Sequence, residues 1–195
     1  MFTEQSLSPV PFGKITQTTH DEHKKLYAGY VKNANMVHDL LEKGTWEGDG
    51  GIYAKGELYR RFAFEYNGMR NHEVYFALAT GPNSTAPTLI AAIEKQWESL
   101  DMFKQSFITL ATTRGIGWGM LSYDRKIAAL IMHWVDEQHL GQLQGTTPII
   151  ALDMWEHSYV TDYQPSGKKQ YVEDFLSSMN WSVAEALFEA ARSTH

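Results

Sequence analysis

Apolar and polar positions between Thr18 and Lys43 alternate with a helical period. Leu26, Tyr27, Tyr30, Val31, Ala34, Val37 and Leu41 recur among Lys24, Lys25, Lys32 and Asp39. Gly44 predicts the end of this helix. Glu47-Gly-Asp-Gly-Gly51 reads as a loop, after which Tyr53 to Leu78 regains helical spacing, so the first part of the chain is expected to form a helical hairpin. Gly81-Pro-Asn-Ser-Thr-Ala-Pro87 is the stretch richest in chain breakers and predicts a boundary between two lobes, residues 1–82 and 83–195. Beyond it a helical pattern runs from Thr88 to Leu110. Residues 115–124 and 126–135 are β-rich runs on either side of Asp124-Arg125, which predicts a hairpin, and Ile149 to Asp153 reads as a third short strand. Tyr171 to Arg192 returns to helical spacing. The expected fold class is α+β, a long N-terminal helical hairpin followed by an α/β lobe with a small three-stranded antiparallel sheet.

Composition narrows the chemistry. The 195 residues contain no cysteine and 8 histidines, so a bound metal would be held by imidazole nitrogen and carboxylate oxygen, and disulfides, thiolate zinc and iron–sulfur clusters are excluded. A net charge of −6 argues against nucleic acid or an anionic membrane surface as partner. The best candidate for a membrane span, Ile127 to Val135, is interrupted by His133 and falls well short of the roughly 18 apolar residues required. Met1 to Lys14 has no basic start followed by an apolar run, so a cytoplasmic location is expected.

Asp153-Met-Trp-Glu-His-Ser-Tyr159 follows a short apolar strand, and its Asp153 and His157, four residues apart on a turn entering a helix, aim a carboxylate and an imidazole at one point. Alone, such a pair reads better as a helix cap and a surface histidine. It is accompanied by Tyr30-Val-Lys-Asn-Ala-Asn35, Asn71-His72, Gly115-Ile-Gly-Trp118 and Asn180-Trp181. Taken in chain order, with the Asp153 motif fourth, the five motifs resemble those of the iron/manganese superoxide dismutases, and they extend from about His23 to Trp181.

The resemblance implies one Fe or Mn ion between the two lobes, held by three histidines and one aspartate with a solvent molecule as fifth ligand. His72, Asp153 and His157 match the family pattern directly. The first histidine is displaced: the family places it eight residues before the motif tyrosine, which here is Glu22, whereas His23 lies seven before Tyr30. At about 100° per residue, His23 and Tyr30 differ by roughly 20°, and His20 and Glu22 each differ from Tyr30 by about 80° on opposite sides. A spacing of eight would share the tyrosine's face if a π-bulge intervened, so this chain is expected to have lost such a bulge and to use His23, with His20 and then Glu22 as the other candidates.

The family also implies that Tyr30 stands over the open face of the metal, that Trp118 and Trp155 form an apolar wall, and that a glutamine orders the bound solvent. Gly68 stands at the position of the iron-type glutamine, so the manganese-like arrangement fits better, with Gln138 as the candidate and His139 as its rival. The second histidine of the family's first helix falls at Leu26 or Tyr27, and its partner tyrosine is replaced by Val160, so that gateway hydrogen bond is lost. Glu156 is kept, and the resemblance implies a homodimer in which it bonds His157 of the partner subunit. The implied reaction converts two superoxide anions to dioxygen and hydrogen peroxide, with Lys24, Lys25, Lys32 and Arg70 as candidates for steering the anion. Two other readings are an inactive structural relative and a hydrolytic zinc site, the latter disfavoured because no general base stands nearby.

Overall fold

The structure, a computed structural model, describes residues 1–83 and 85–193. Its elements run in the order α1 (Gln17–Lys43), α2 (Gly48–Leu78), α3 (Pro87–Trp97), α4 (Leu100–Ala111), β1 (Gly117–Asp124), β2 (Ala129–Asp136), β3 (Thr146–Asp153), α5 (Glu156–Tyr163), α6 (Lys168–Ser178) and α7 (Trp181–Ser193), with a 3₁₀ turn at Pro165–Gly167.

Helix α1 begins where the Thr16 hydroxyl accepts the Thr19 amide and ends where the Gly44 amide bonds the Leu40 carbonyl, so both termini are satisfied locally. It is α-helical throughout, without a π turn, and buries His23, Tyr27, Val31, Ala34 and Val37 against α2. Helix α2 starts five residues earlier than its apolar pattern predicts. Gly48, at φ +64°, turns the chain into the helix, and a Cβ at Gly51 would approach the Trp46 backbone to 3.0 Å. The glycine run is therefore the helix entry and not a separate loop.

Two expected long helices are each divided. Glu98 at φ +67° breaks the 88–110 pattern, and the Ser99 side chain starts α4 by accepting the Met102 amide. The 171–192 pattern breaks at Met179 and Asn180, where the Asn180 amide bonds the Leu78 carbonyl at the end of α2.

The sheet is antiparallel with order β2-β1-β3. Its hairpin turn spans residues 125–128 and is wider than the Asp124-Arg125 dipeptide, with Ala128 at φ +52°. The central strand β1 is buried along nearly its whole length, and its register sets Trp118 opposite Asp153. That pairing brings the indole and the carboxylate to the end of the sheet that meets the helical hairpin. The core around it is strongly aromatic: Tyr75, Phe76, Phe103, Phe107, Trp118, Tyr171 and Phe175 are all buried in one cluster. Among the described residues no helix is long and apolar enough to cross a membrane.

Candidate metal centre

Four elements converge on one point. His23 from α1, His72 from α2, Asp153 from the end of β3 and His157 from the first turn of α5 bring their donor atoms within 4.8 Å of one another. Asp153 Oδ2 lies 3.1 Å from His23 Nε2, 3.2 Å from His157 Nε2 and 3.5 Å from His72 Nε2. Its other oxygen accepts the Trp155 amide at 2.8 Å, so Oδ2 alone faces the three imidazoles. His23, His72 and Asp153 are buried and His157 is partly so.

Two of the three imidazoles, His72 and His23, favour the neutral form a cation needs. His72 Nδ1 donates to the Gly68 carbonyl one turn back on α2, which leaves Nε2 as a lone pair, and that atom is buried without a hydrogen-bond partner. Burial lowers His72 to about 3, with repulsion from His23 adding to it, and burial also lowers His23 despite the facing carboxylate. Burial pushes Asp153 up, but His157 and His23 together outweigh it and hold the carboxyl below its ordinary value. Burial opposes ionisation of His157, but the Asp153 carboxylate outweighs it and holds that imidazole above its ordinary value. One carboxylate, three converging imidazoles and an orphaned Nε2 make a three-nitrogen, one-oxygen donor set, which suits Fe or Mn.

The surroundings fix this set. The Tyr30 ring lies 5.1 Å from that of His72, and the Tyr30 hydroxyl accepts Gln138 Nε2–H at 3.0 Å. Gln138 is held in turn: its Oε1 accepts Trp118 Nε1–H at 2.9 Å, and its backbone carbonyl accepts Asn71 Nδ2–H at 3.1 Å. His139 faces elsewhere, edge-on to Phe64 at 5.8 Å. A Cβ on Gly68 would come within 2.5 Å of the Tyr30 ring, so glycine there makes room for the tyrosine. Trp118 and Trp155 lie against His72 and His157 at 5.0 and 5.9 Å.

The other sequence candidates lie outside the cluster. His20 bonds the Val10 carbonyl through Nε2 at 3.0 Å, and Glu22 pairs with Lys25 at the surface. Lys25 and Arg70 are engaged with Glu22 and Glu73, and Arg61, which pattern alone did not single out, pairs with Glu65 at 3.0 Å and lies 3.6 Å above the Phe64 ring. Leu26 is exposed and Val160 half-buried. Tyr75 and Tyr171 also escaped the sequence reading: the Tyr171 hydroxyl bonds the Asp153 carbonyl at 3.1 Å and the Tyr75 hydroxyl at 3.2 Å. Their apolar spacing reads as ordinary core, and only the fold brings the two phenols together.

Residues 85–187 match the family described as iron/manganese superoxide dismutases, C-terminal domain. The chain belongs to the iron/manganese superoxide dismutases. Among its relatives in this family, a superoxide dismutase [Mn] of Mycolicibacterium smegmatis is 31% identical over 191 residues, covering 96% of this chain and 89% of that protein. The mitochondrial superoxide dismutase [Mn] of Drosophila melanogaster is 30% identical over 191 residues, with 96% and 85% covered. A superoxide dismutase [Mn/Fe] of Aeropyrum pernix is 28% identical over 209 residues, with 97% and 93% covered. The family model covers Asp153 and His157, and the alignment with the Mycolicibacterium smegmatis protein covers 96% of the chain.

Proposed function

We infer that the chain is a superoxide dismutase that converts two superoxide anions into dioxygen and hydrogen peroxide, with one Fe or Mn ion held by His23, His72, Asp153 and His157. The observation that carries this reading is the convergence of four donors around a buried, unpartnered His72 Nε2. The ion, when bound, supplies the one-electron redox couple that oxidises one superoxide and reduces the next. The chain's own residues do the rest. Asp153 contributes the single protein anion, which favours the higher charge state, while the Nδ1 hydrogen bond of His72 fixes its ring and strengthens its Nε2 as a donor. Tyr30 accepts its bond from Gln138, so its own proton is free to point into the site, and burial raises its pKa so that it stays protonated. The indoles of Trp118 and Trp155 exclude bulk water beside the ligand histidines.

His23 and His72 come from residues 1–82 and Asp153 and His157 from 83–195, so the site joins the two lobes. Gly68 leaves no room for a helix-borne glutamine under Tyr30, and Gln138 supplies the amide from the β side, which favours Mn. A homodimer in the cytoplasm, with Glu156 bonded to His157 of the partner subunit, completes the reading. The test is metal analysis and superoxide consumption on purified protein reconstituted with Mn or Fe. One ion per chain with consumption that follows loading is expected; full loading without consumption would favour the inactive structural relative.

A further inference from the structure

A line of phenols leads away from the metal centre. The Tyr75 ring lies 5.2 Å from that of His23. Its hydroxyl is 3.2 Å from that of Tyr171, which is stacked on Tyr159 at 5.2 Å and meets the Tyr163 ring at 5.6 Å. All four rings are buried, and consecutive members are in contact. The chemistry of the hydroxyls differs along the line. The Tyr171 proton is shared between a neutral carbonyl, that of Asp153, and the neutral Tyr75 hydroxyl, neither of which is a base. The Tyr163 hydroxyl instead donates to the Asp174 carboxylate at 2.6 Å, while accepting the Lys14 amide of the exposed turn above it. A phenol can be oxidised at a moderate potential only if its proton has somewhere to go, and Tyr163 is the member of this line with a carboxylate waiting.

We propose that Tyr75, Tyr171 and Tyr163 form a redox relay that draws a surplus oxidising equivalent away from the metal centre and places it on Tyr163, sparing His23, His72 and Trp118. The proposal rests on the dismutase reading, because that reaction makes hydrogen peroxide beside a redox-active ion. Hydrogen peroxide needs two electrons and two protons to become two waters. One electron comes from the reduced ion, the other from Tyr163 through Tyr171 and Tyr75, and the two protons come from solvent. Tyr163 becomes a neutral phenoxyl radical, and its own proton passes to Asp174. One competing site beside the donors, Trp118, donates its N–H to the Gln138 amide oxygen, which is not a base. Another, Tyr27, stacks on His72 at 6.5 Å, and its bond to the Glu73 carboxylate is 3.2 Å, longer than the 2.6 Å from Tyr163 to Asp174.

The test uses the iron-loaded full chain, whose metal content and superoxide consumption are measured first. Peroxide is then added, the radical is trapped by freeze-quenching for electron paramagnetic resonance, and oxidised residues are mapped by peptide mass spectrometry. The expected result is a tyrosyl signal and oxidation concentrated on Tyr163. Tyr163→Phe and Asp174→Asn should each lower the signal several-fold and shift oxidation to His23, His72 and Trp118. Tyr75→Phe, which removes only a hydroxyl from the core, should do the same and guards against a folding defect in the other two. Oxidation that falls on Trp118 and the histidines in the parent chain, unchanged in all three variants, would overturn the relay. A chain that takes up no iron or consumes no superoxide would sink the dismutase reading, and the relay with it, before peroxide is added.

Discussion

Asp153 divides its two oxygens between two tasks. Oδ1 accepts the Trp155 amide and ties the carboxylate to the entry of α5, while Oδ2 faces three histidine nitrogens. Asp153→Ala would therefore leave three converging imidazoles, two of them buried, without their anion, and His157→Ala would open the exposed side of the set. Either change is expected to remove bound metal and superoxide consumption together, since no neighbouring side chain can replace the lost donor without moving backbone. Stoichiometric Fe or Mn with full turnover in either variant would overturn the ligand assignment. Gly68 allows a finer test. Its Cβ would sit 2.5 Å from the Tyr30 ring, so Gly68→Ala should force the tyrosine outward and break its bond with Gln138, lowering turnover more than metal content. A variant whose turnover equals the parent's would show that Tyr30 need not hold that position.

At the scale of elements, α1 and α4 are capped locally, whereas α3 depends on a contact remote in sequence. Helix α3 has Ala86 at its N-cap and no local side chain to satisfy its first amides; instead the Glu185 carboxylate of α7 accepts both the Thr88 and Leu89 amides, at 2.9 and 2.7 Å. Glu185→Ala is expected to cost about 1–2 kcal/mol, measurable by denaturant unfolding, with Glu185→Gln in between. An unchanged midpoint would mean that water replaces the cap without loss. Helix α1 carries a pH-dependent contribution through His20, which burial lowers to about 4 against the opposing effect of its bond to the Val10 carbonyl. Because the folded pKa lies below the unfolded one, the unfolded chain protonates first. Stability should fall as pH drops from roughly 6.5 towards 4 and then level off, by up to about 2 kcal/mol once solvent screening is allowed for. His20→Gln should flatten that part of the profile, and an identical slope would assign it to other groups. These contacts also explain what was legible beforehand. The period of α1 follows from a single face turned to the core, the motifs name His72, Asp153 and His157, and helix angle brings His23 to the same face as Tyr30. The breaks at Glu98 and Met179, the start of α2 at Gly48, the Glu185 cap and the Tyr75–Tyr171 contact depend on partners far along the chain or on backbone angles that residue type does not announce.

For the whole molecule, the decisive question is whether the site is complete within one chain. Asp153, His23 and His72 are sealed inside the fold, but the His157 side chain remains 25% exposed, and Glu156 begins the same short helix beside it. The His157 Nε2 faces Asp153, and a carboxylate or carbonyl at the ring's other nitrogen is the partner that normally fixes a ligand histidine. In the proposed homodimer each subunit's Glu156 supplies that partner to the other, so one hydrogen bond would serve both assembly and metal retention. Binding that favours the folded, assembled state stabilises it by mass action, so metal should raise the unfolding temperature and tighten self-association together. Glu156→Ala is expected to weaken both, read as a dissociation constant by sedimentation across a dilution series and as metal retained after dialysis. Glu156→Gln, which keeps an acceptor oxygen but no charge, should fall between the two. A Glu156→Ala protein that loses its metal yet stays dimeric on dilution, or a parent chain that sediments as a monomer while fully loaded, would separate assembly from the site and place the fixing of His157 within a single chain.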